Sequence, residues 1–96
     1  MSPAAHFSVL VEVRLREGIA DPEGATIERV LPALGFDGVS GVRTGKAFRF
    51  DVIADDRMGA LARADEVARR LLANPVIEES TVTVEPSGGS SDRGGG

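Results

Sequence analysis

The sequence contains no cysteine, no tyrosine and no tryptophan, and His6 is its single histidine. Without cysteine the chain has no disulfide, no thiolate nucleophile and no cysteine-ligated zinc site. One histidine cannot form a multi-histidine metal site, and a Ser-His-Asp triad would need His6 as its base. The four phenylalanines fit core positions better than the aromatic platforms on which nucleic-acid bases stack. We therefore expect no catalytic residue, cofactor site or metal site in this chain.

The chain also lacks an excess of positive charge and a long hydrophobic run. Its 11 basic and 15 acidic residues give a net charge of −4, which argues against nonspecific binding to nucleic acid. No apolar stretch approaches the roughly 20 residues that span a bilayer, and no signal-peptide pattern is present. We expect a cytoplasmic protein whose partners include neither nucleic acid nor a membrane. At 96 residues its core is thin, so a partner or a second copy would stabilise it.

We expect a single folded domain at residues 7–86. Residues 87–96 are glycine, serine, one aspartate and one arginine. Because they have no apolar side chains to bury, they cannot offset the entropy lost on ordering and are expected to be disordered. Residues 1–6 are expected to be frayed.

The first half of the domain is predicted to be a strand followed by a helix. Apolar and polar residues alternate over residues 7–15, which predicts a strand with one buried face. Asp21 is a suitable helix N-cap, Pro22 suits the first helical position, and Gly35 suits the C-terminal end. Between them an apolar stripe recurs at helical spacing: Ile27, Val30, Leu31 and Leu34. Pro32 predicts a kink or an irregular last turn, because its nitrogen has no hydrogen to donate.

Residues 39–53 allow two interpretations. The apolar residues of this segment share one parity: Val42, Phe48, Phe50 and Val52. One long strand, bent at Gly41 or Gly45, would keep them on one face. Alternatively, a hairpin would turn near Gly45-Lys46. The unbroken parity favours the long, bent strand.

A second helix and a last strand complete the domain. Asp55-Asp56 can cap a helix that is predicted to run to about Ala73 and to end at Asn74-Pro75. Its predicted buried stripe is Leu61, Ala64, Ala68 and Leu71. Its outer face is predicted to have two i,i+4 ion pairs, Asp65 with Arg69 and Glu66 with Arg70. The last strand is predicted over Val76–Ile77 and Val82–Val84.

This order of elements predicts an α+β fold. It favours a small, mainly antiparallel sheet with two helices on one face, related to the ferredoxin-like plan. The other face and the edge strands of such a sheet stay open. We therefore expect the protein to dimerise through the sheet.

The segment 41–46 matches a phosphate-binding loop only in part. A P-loop has glycine, four residues and then Gly-Lys-Ser/Thr, and it leads into a helix. Here Ser40 and Ala47 occupy the first and last positions, and a strand is predicted to follow. Because glycines allow close backbone approach, the segment is better suited to contact a partner's carboxylates or backbone. The predicted contact residues are Arg43, Gly45 and Lys46.

Two pairs of adjacent carboxylates have the oxygen ligands that magnesium prefers. Asp55 and Asp56 are more typical of a helix cap. Glu78 and Glu79 would point to opposite faces of a strand, so they are not expected to chelate one ion together.

Three segments follow one another in a distinctive order. They are Asp21-Pro22-Glu23-Gly24, Val42-Arg43-Thr44-Gly45-Lys46 and the run from Leu71 to Glu79. Together, in a chain of this length, they resemble the signature of the PurS family, the small subunit of phosphoribosylformylglycinamidine synthase. The resemblance covers residues 7–86, whereas Pro32 and the glycine- and serine-rich tail depart from the family pattern.

The resemblance implies a role in the fourth step of purine biosynthesis, which converts formylglycinamide ribonucleotide to formylglycinamidine ribonucleotide. In that family a glutaminase (PurQ) releases ammonia from glutamine, and a large synthetase (PurL) uses ATP and Mg²⁺ for the amination. The resemblance implies that the small subunit is a homodimer or a dimer of dimers that bridges the two. It also implies a small α+β fold that dimerises through its sheets.

Two other functions stay open on the residues alone. A small-ligand-binding regulatory domain of ferredoxin-like plan would show saturable thermal stabilisation by an amino acid or a purine. A stand-alone dimeric enzyme would need titratable groups on the sheet face, and the apolar face predicted over residues 7–15 disfavours it.

Overall fold

The computed structural model describes residues 4–85, so the segment 87–96 expected to be disordered lies outside the described residues. Three strands and two helices form the fold, and each helix ends in an irregular turn. In chain order they are β1 (Ala5–Leu15), α1 (Pro22–Val30), a 3₁₀ turn (Leu31–Leu34), β2 (Gly45–Ala54), α2 (Arg57–Val67), a π turn (Ala68–Leu72) and β3 (Glu78–Glu85). β1 begins two residues before its predicted start.

The strands form one antiparallel sheet in the order β2-β1-β3. The first strand in the chain is therefore the central one. Its alternation places one set of valines between apolar partners on both sides. Val9 lies between Phe50 and Val84, and Val11 lies opposite Phe48 and Val82. The predicted buried face of β1 is confirmed.

Helix α2 covers this face and forms the core with it. Ala60, Ala64 and Ala68 are fully buried against the valines of the sheet. Because alanine side chains are short, the helix backbone lies close to the strands, and the buried apolar area stabilises the domain. The predicted antiparallel α+β fold with two helices is confirmed. The opposite face of the sheet is mostly polar, with ion pairs and hydrogen bonds such as Arg49 with Glu85 at 2.7 Å, and it also has the apolar residues Leu10 and Ile53.

The helical segment made of α1 and its 3₁₀ turn begins and ends as predicted. Asp21 is the N-cap, Pro22 follows it, and Gly35 ends the segment at a φ of +92°, a conformation that favours glycine. Pro32 stands in the 3₁₀ turn, which confirms the irregular last turn. Unlike α2, α1 chiefly contacts its own 3₁₀ turn rather than the sheet. Its apolar stripe is consequently exposed in the single chain, with Leu34 exposed to 65%.

Neither interpretation of residues 39–53 is correct. β2 begins only at Gly45, and residues 39–44 pair with no strand. Gly41 has a φ of +72°, which takes the backbone out of extended geometry. The amides of Val42 and Thr44 then donate to side chains that precede or lie in α1 instead of to a neighbouring strand. Parity alone could not reveal this, because it does not depend on which groups accept the backbone hydrogen bonds.

The predicted start of the last strand is also wrong. Residues 74–77 form a turn, in which the amides of Ile77 and Glu78 donate to the carbonyl of Asn74. The side chain of Asn74 accepts from the amide of Val76 at 3.1 Å. These local bonds compete with strand pairing, and β3 therefore starts at Glu78.

The π turn at the end of α2 changes which leucine is buried. The amide of Ala73 donates to the carbonyl of Ala68, five residues earlier, which inserts one residue into the helical repeat. Leu71 was predicted to join the buried stripe, but it is 78% exposed. Leu72 packs against the core in its place.

This register shift predicts different effects for two adjacent leucines. We expect Leu72→Ala to lower the free energy of unfolding by about 1–2 kcal/mol, because it removes part of the core. Leu71→Ala should change it by less than about 0.5 kcal/mol, since that side chain is in solvent. Urea unfolding of the two variants measures the difference. Equal destabilisation would contradict the π turn.

Candidate partner-contact site

The carboxylate of Asp21 joins the start of α1 to the start of β2. Its side chain is 4% exposed. One oxygen, Oδ1, accepts from the amide of Gly24 and from the hydroxyl of Thr44, both at 2.9 Å. The other, Oδ2, accepts from the amide of Thr44 at 2.7 Å. Asp21 is therefore both a helix cap and a link to the segment 23 residues further along.

The surroundings of Asp21 favour its charged form. The amide of Thr44 lowers the pKa of Asp21 most, followed by the amide of Gly24. The Thr44 hydroxyl and the nearby Arg43 lower this pKa further, while desolvation opposes them. The net effect is a pKa below the ordinary aspartate value, so the carboxylate is ionised at neutral pH.

Two residues of α1, Gly24 and Glu28, contact the segment before β2 as well. Glu28 accepts from the amide of Val42 at 3.1 Å. Gly24 lies directly against the carbonyl oxygen of Val42, and a Cβ at this position would overlap that oxygen. We call Asp21, Gly24, Glu28, Val42 and Thr44 together the Asp21 latch.

Arg43 lies between Val42 and Thr44, two residues of the Asp21 latch. Its Nη2 donates to the carbonyl of Ile19 at 3.3 Å, and its Nε is 3.9 Å from Oδ2 of Asp21. The side chain is 46% exposed, so the guanidinium is anchored on one side and open to solvent on the other. Because a guanidinium has five N–H donors, this leaves donors for a partner.

Gly45 and Lys46 begin β2 beside Arg43. A Cβ at Gly45 would come within 2.7 Å of the carbonyl oxygen of Val13, so the close approach to β1 requires glycine there. Lys46 is 57% exposed, and its Nζ is 4.0 Å from a carboxylate oxygen of Glu78. The three predicted contact residues thus lie together at one end of the sheet.

An open cavity of about 450 Å³ adjoins Gly45 and Lys46. It lies on the face of the sheet that α2 covers elsewhere, and it combines apolar strand residues with both signs of charge. Its lining includes Val13, Leu15, Glu23, Thr44, Lys46 and Glu78. Such a surface suits a protein segment with polar and apolar contacts better than a small anion.

The segment 41–46 does not have the geometry of a phosphate-binding loop, because it leads into a strand rather than into a helix N-terminus. Glu78 and Glu79 point to opposite faces of β3: Glu78 approaches Lys46, whereas Glu79 pairs with Arg14 at 3.4 Å. Among residues 4–85 no group of three or more acidic or histidine side chains is arranged to hold a metal ion. No helix in that range is long and apolar enough to cross a membrane.

The sequence offered little sign of the Asp21 latch. It identified Asp21 as a cap, but it gave no reason to connect Asp21 with Thr44 or Glu28 with Val42. The contacts of Asp56, a second cap with glycine three residues later, resemble those of Asp21 only at the helix itself. The motif shared by both caps therefore could not distinguish the latch from an ordinary cap.

Comparison with known proteins finds PurS proteins by sequence and by structure. The family model described as PurS, phosphoribosylformylglycinamidine (FGAM) synthase, matches residues 8–86. The PurS subunit of Archaeoglobus fulgidus is 43% identical over 72 residues, which are 75% of this chain and 90% of the relative. That of Mycobacterium leprae is 42% identical over 78 residues, which are 79% of this chain and 92% of the relative.

Solved structures of such subunits have the same fold. The crystal structure of the PurS subunit from Thermotoga maritima has a TM-score of 0.79 and 33% identity, covering 85% of this chain and 94% of that one. A chain in the structure of PurLQS from Thermotoga maritima has a TM-score of 0.78 and 33% identity, covering 84% and 99%. The likeness therefore spans nearly the whole of each relative.

Proposed function

Because the chain belongs to the PurS family of phosphoribosylformylglycinamidine synthase subunits, we propose that it is the small, non-catalytic subunit of this synthase. Its partners are a large synthetase (PurL) and a glutaminase (PurQ). The observation that carries the proposal is the match to a chain in a structure of PurLQS, of which it covers 99%. A cytoplasmic location fits a biosynthetic role of this kind.

The residues of the chain support a division of labour. A glutaminase of this type uses a cysteine nucleophile, and this sequence contains none. We assign the use of ATP and Mg²⁺ to the synthetase, because the glycine-containing segment 41–46 leads into a strand and does not cradle phosphate. The remaining role is to hold the glutaminase over the synthetase. Ammonia then passes between the two sites without release into water, as an effective-concentration effect.

The partner contact is proposed at Arg43, Gly45 and Lys46. Arg43 and Lys46 are cations whose side chains are 46% and 57% exposed, and both line an open groove at the start of β2. Gly45 keeps the start of β2 close to β1, and the two cations lie on either side of this glycine in the chain. Carboxylates and backbone carbonyls on the synthetase or the glutaminase are the matching acceptors.

The double variant Arg43→Ala/Lys46→Ala tests this contact. We expect its affinity for the partner subunits to fall by about tenfold or more, because both charge-assisted contacts are lost. Co-elution and titration calorimetry measure the affinity, and circular dichroism should show that the fold is retained.

A matched control is available on the outer face of α2. Arg69 and Arg70 are also exposed cations, and each has an i,i+4 ion pair within its own helix. Arg69→Ala/Arg70→Ala should leave the affinity unchanged. Normal co-elution and a normal glutamine-dependent rate for Arg43→Ala/Lys46→Ala would remove the assignment.

We also propose that the chain forms a homodimer or a dimer of dimers. The sheet has two edge strands, β2 and β3, each with one side that pairs with no strand among residues 4–85. The apolar stripe of α1 provides further surface, since Ile27, Val30 and Leu34 are each more than 40% exposed in the single chain. Both features favour association, and a second copy has the same features to offer.

A further inference from the structure

We infer that Asp21 is a positioning residue for the partner contact: the Asp21 latch holds Arg43 and the start of β2 in the arrangement that the other synthase subunits bind. The inference rests on the proposed function and extends it to a residue that need not touch the partner. It depends on how the two oxygens of one carboxylate are used.

Capping α1 requires only part of what Asp21 does. Asp56 caps α2 in the same way, since its Oδ1 accepts from the amide of Gly59 at 2.8 Å. Asp21 makes the equivalent bond to Gly24 at 2.9 Å. In addition it accepts both the amide and the hydroxyl of Thr44, and it is almost fully buried. The two bonds to Thr44 are not needed to cap α1; they fix the segment before β2 against the start of α1.

These bonds restrict Arg43 from both sides. Val42 is held by Glu28, and Thr44 is held by Asp21, so the backbone on either side of Arg43 is fixed to α1 and its N-cap. The guanidinium is further oriented by Asp21 and by the carbonyl of Ile19. A side chain that is already ordered loses less entropy on binding, and its partner therefore binds more tightly.

The experiment compares Asp21→Asn with Asp56→Asn in the full chain, each titrated with the purified synthetase and glutaminase. Asparagine retains a cap acceptor in both variants. In Asp21→Asn the charge beside Arg43 is lost, and the side-chain amide cannot accept from the amide of Thr44 if its oxygen caps the helix. We expect Asp21→Asn to bind about tenfold more weakly than the wild type and Asp56→Asn to bind like the wild type.

Two further variants separate positioning from simple destabilisation. Thr44→Ser keeps both bonds to Asp21, and its affinity should match that of the wild type. Thr44→Val removes only the hydroxyl bond and should lower the affinity. It also provides the test if Asp21→Asn unfolds at the assay temperature. Thermal unfolding of every variant is measured alongside binding.

The outcomes are distinguishable. If the wild type binds the partners but Asp21→Asn and Thr44→Val bind equally well, the inference is overturned while the proposed function stands. It is also overturned if Asp56→Asn weakens binding as much as Asp21→Asn at the same loss of thermal stability. If the wild type itself binds neither partner, the proposed function fails, and the inference fails with it.

Discussion

Omission of this chain from the reconstituted synthase should lower the glutamine-dependent rate by about a hundredfold or more. The rate with added ammonium should fall much less. In the proposed complex this chain keeps the glutaminase close to the synthetase, so ammonia reaches the second site before it enters bulk water. Ammonium supplied in the buffer does not need that arrangement. The measurement is product formation with each nitrogen source, with and without this chain.

The Arg43→Ala/Lys46→Ala variant should fall between the complete synthase and the synthase without this chain. It should reduce the glutamine-dependent rate at low subunit concentration and recover it when the subunits are concentrated, because only affinity is impaired. Equal loss of rate with glutamine and with ammonium on omission of this chain would contradict a bridging role. That result would instead indicate that the chain completes the synthetase active site or its fold.

Gly24→Ala should destabilise the protein by about 2–4 kcal/mol. A methyl group here would overlap the carbonyl oxygen of Val42, which is backbone and cannot rotate away. The segment before β2 would have to leave α1, which would break the bonds from Thr44 to Asp21. Urea unfolding measures the loss, and partner affinity should fall with it.

Gly59→Ala is the matched control for this substitution. Gly59 also stands three residues after a capping aspartate and donates to it. The nearest atom to a Cβ here is Oδ1 of Asp56, at 3.2 Å, which belongs to an exposed side chain that can shift. Gly59→Ala should therefore change the free energy of unfolding by less than about 1 kcal/mol, with better helix propensity offsetting the contact. Similar losses for the two variants would contradict the special role of Gly24.

The elements predicted correctly from the sequence are those set by local interactions. The cap at Asp21, Pro22 in the first turn and the irregular turn at Pro32 each depend on groups within about four residues. The i,i+4 pairs Asp65–Arg69 and Glu66–Arg70 are equally local, and they form as predicted at 2.8 and 3.1 Å. Alternation along β1 was also sufficient, because the strand has one apolar and one polar face.

The error in residues 39–44 arises where contacts between distant residues decide the structure. Val42 and Thr44 have the parity of a strand, yet their amides donate to Glu28 in α1 and to Asp21, the residue before α1. No periodicity of the sequence can indicate these partners. The exchange of Leu71 for Leu72 depends on a single added residue in the last helical turn. The first outcome follows from tertiary contacts, which override the local pattern, whereas the second depends on the local hydrogen bond from the amide of Ala73 to the carbonyl of Ala68.

The candidate site was only partly accessible to sequence reasoning. Arg43 and Lys46 could be chosen because the only lysine of an arginine-rich chain stands beside two glycines. The link from Asp21 to Thr44 could not be chosen, since 23 residues separate the two and the chain passes through a helix and a turn between them. Residues that orient a contact carry a weaker sequence signal than those that make it.

The central place of β1 in the sheet has a consequence for how the protein is made. This strand leaves the ribosome before its two neighbours, which begin only at Gly45 and Glu78. A nascent chain therefore carries a strand with one uncovered apolar face and an open edge until nearly the whole domain has emerged. Products of interrupted translation should aggregate or be degraded by cellular proteases, so only finished chains would be available for assembly.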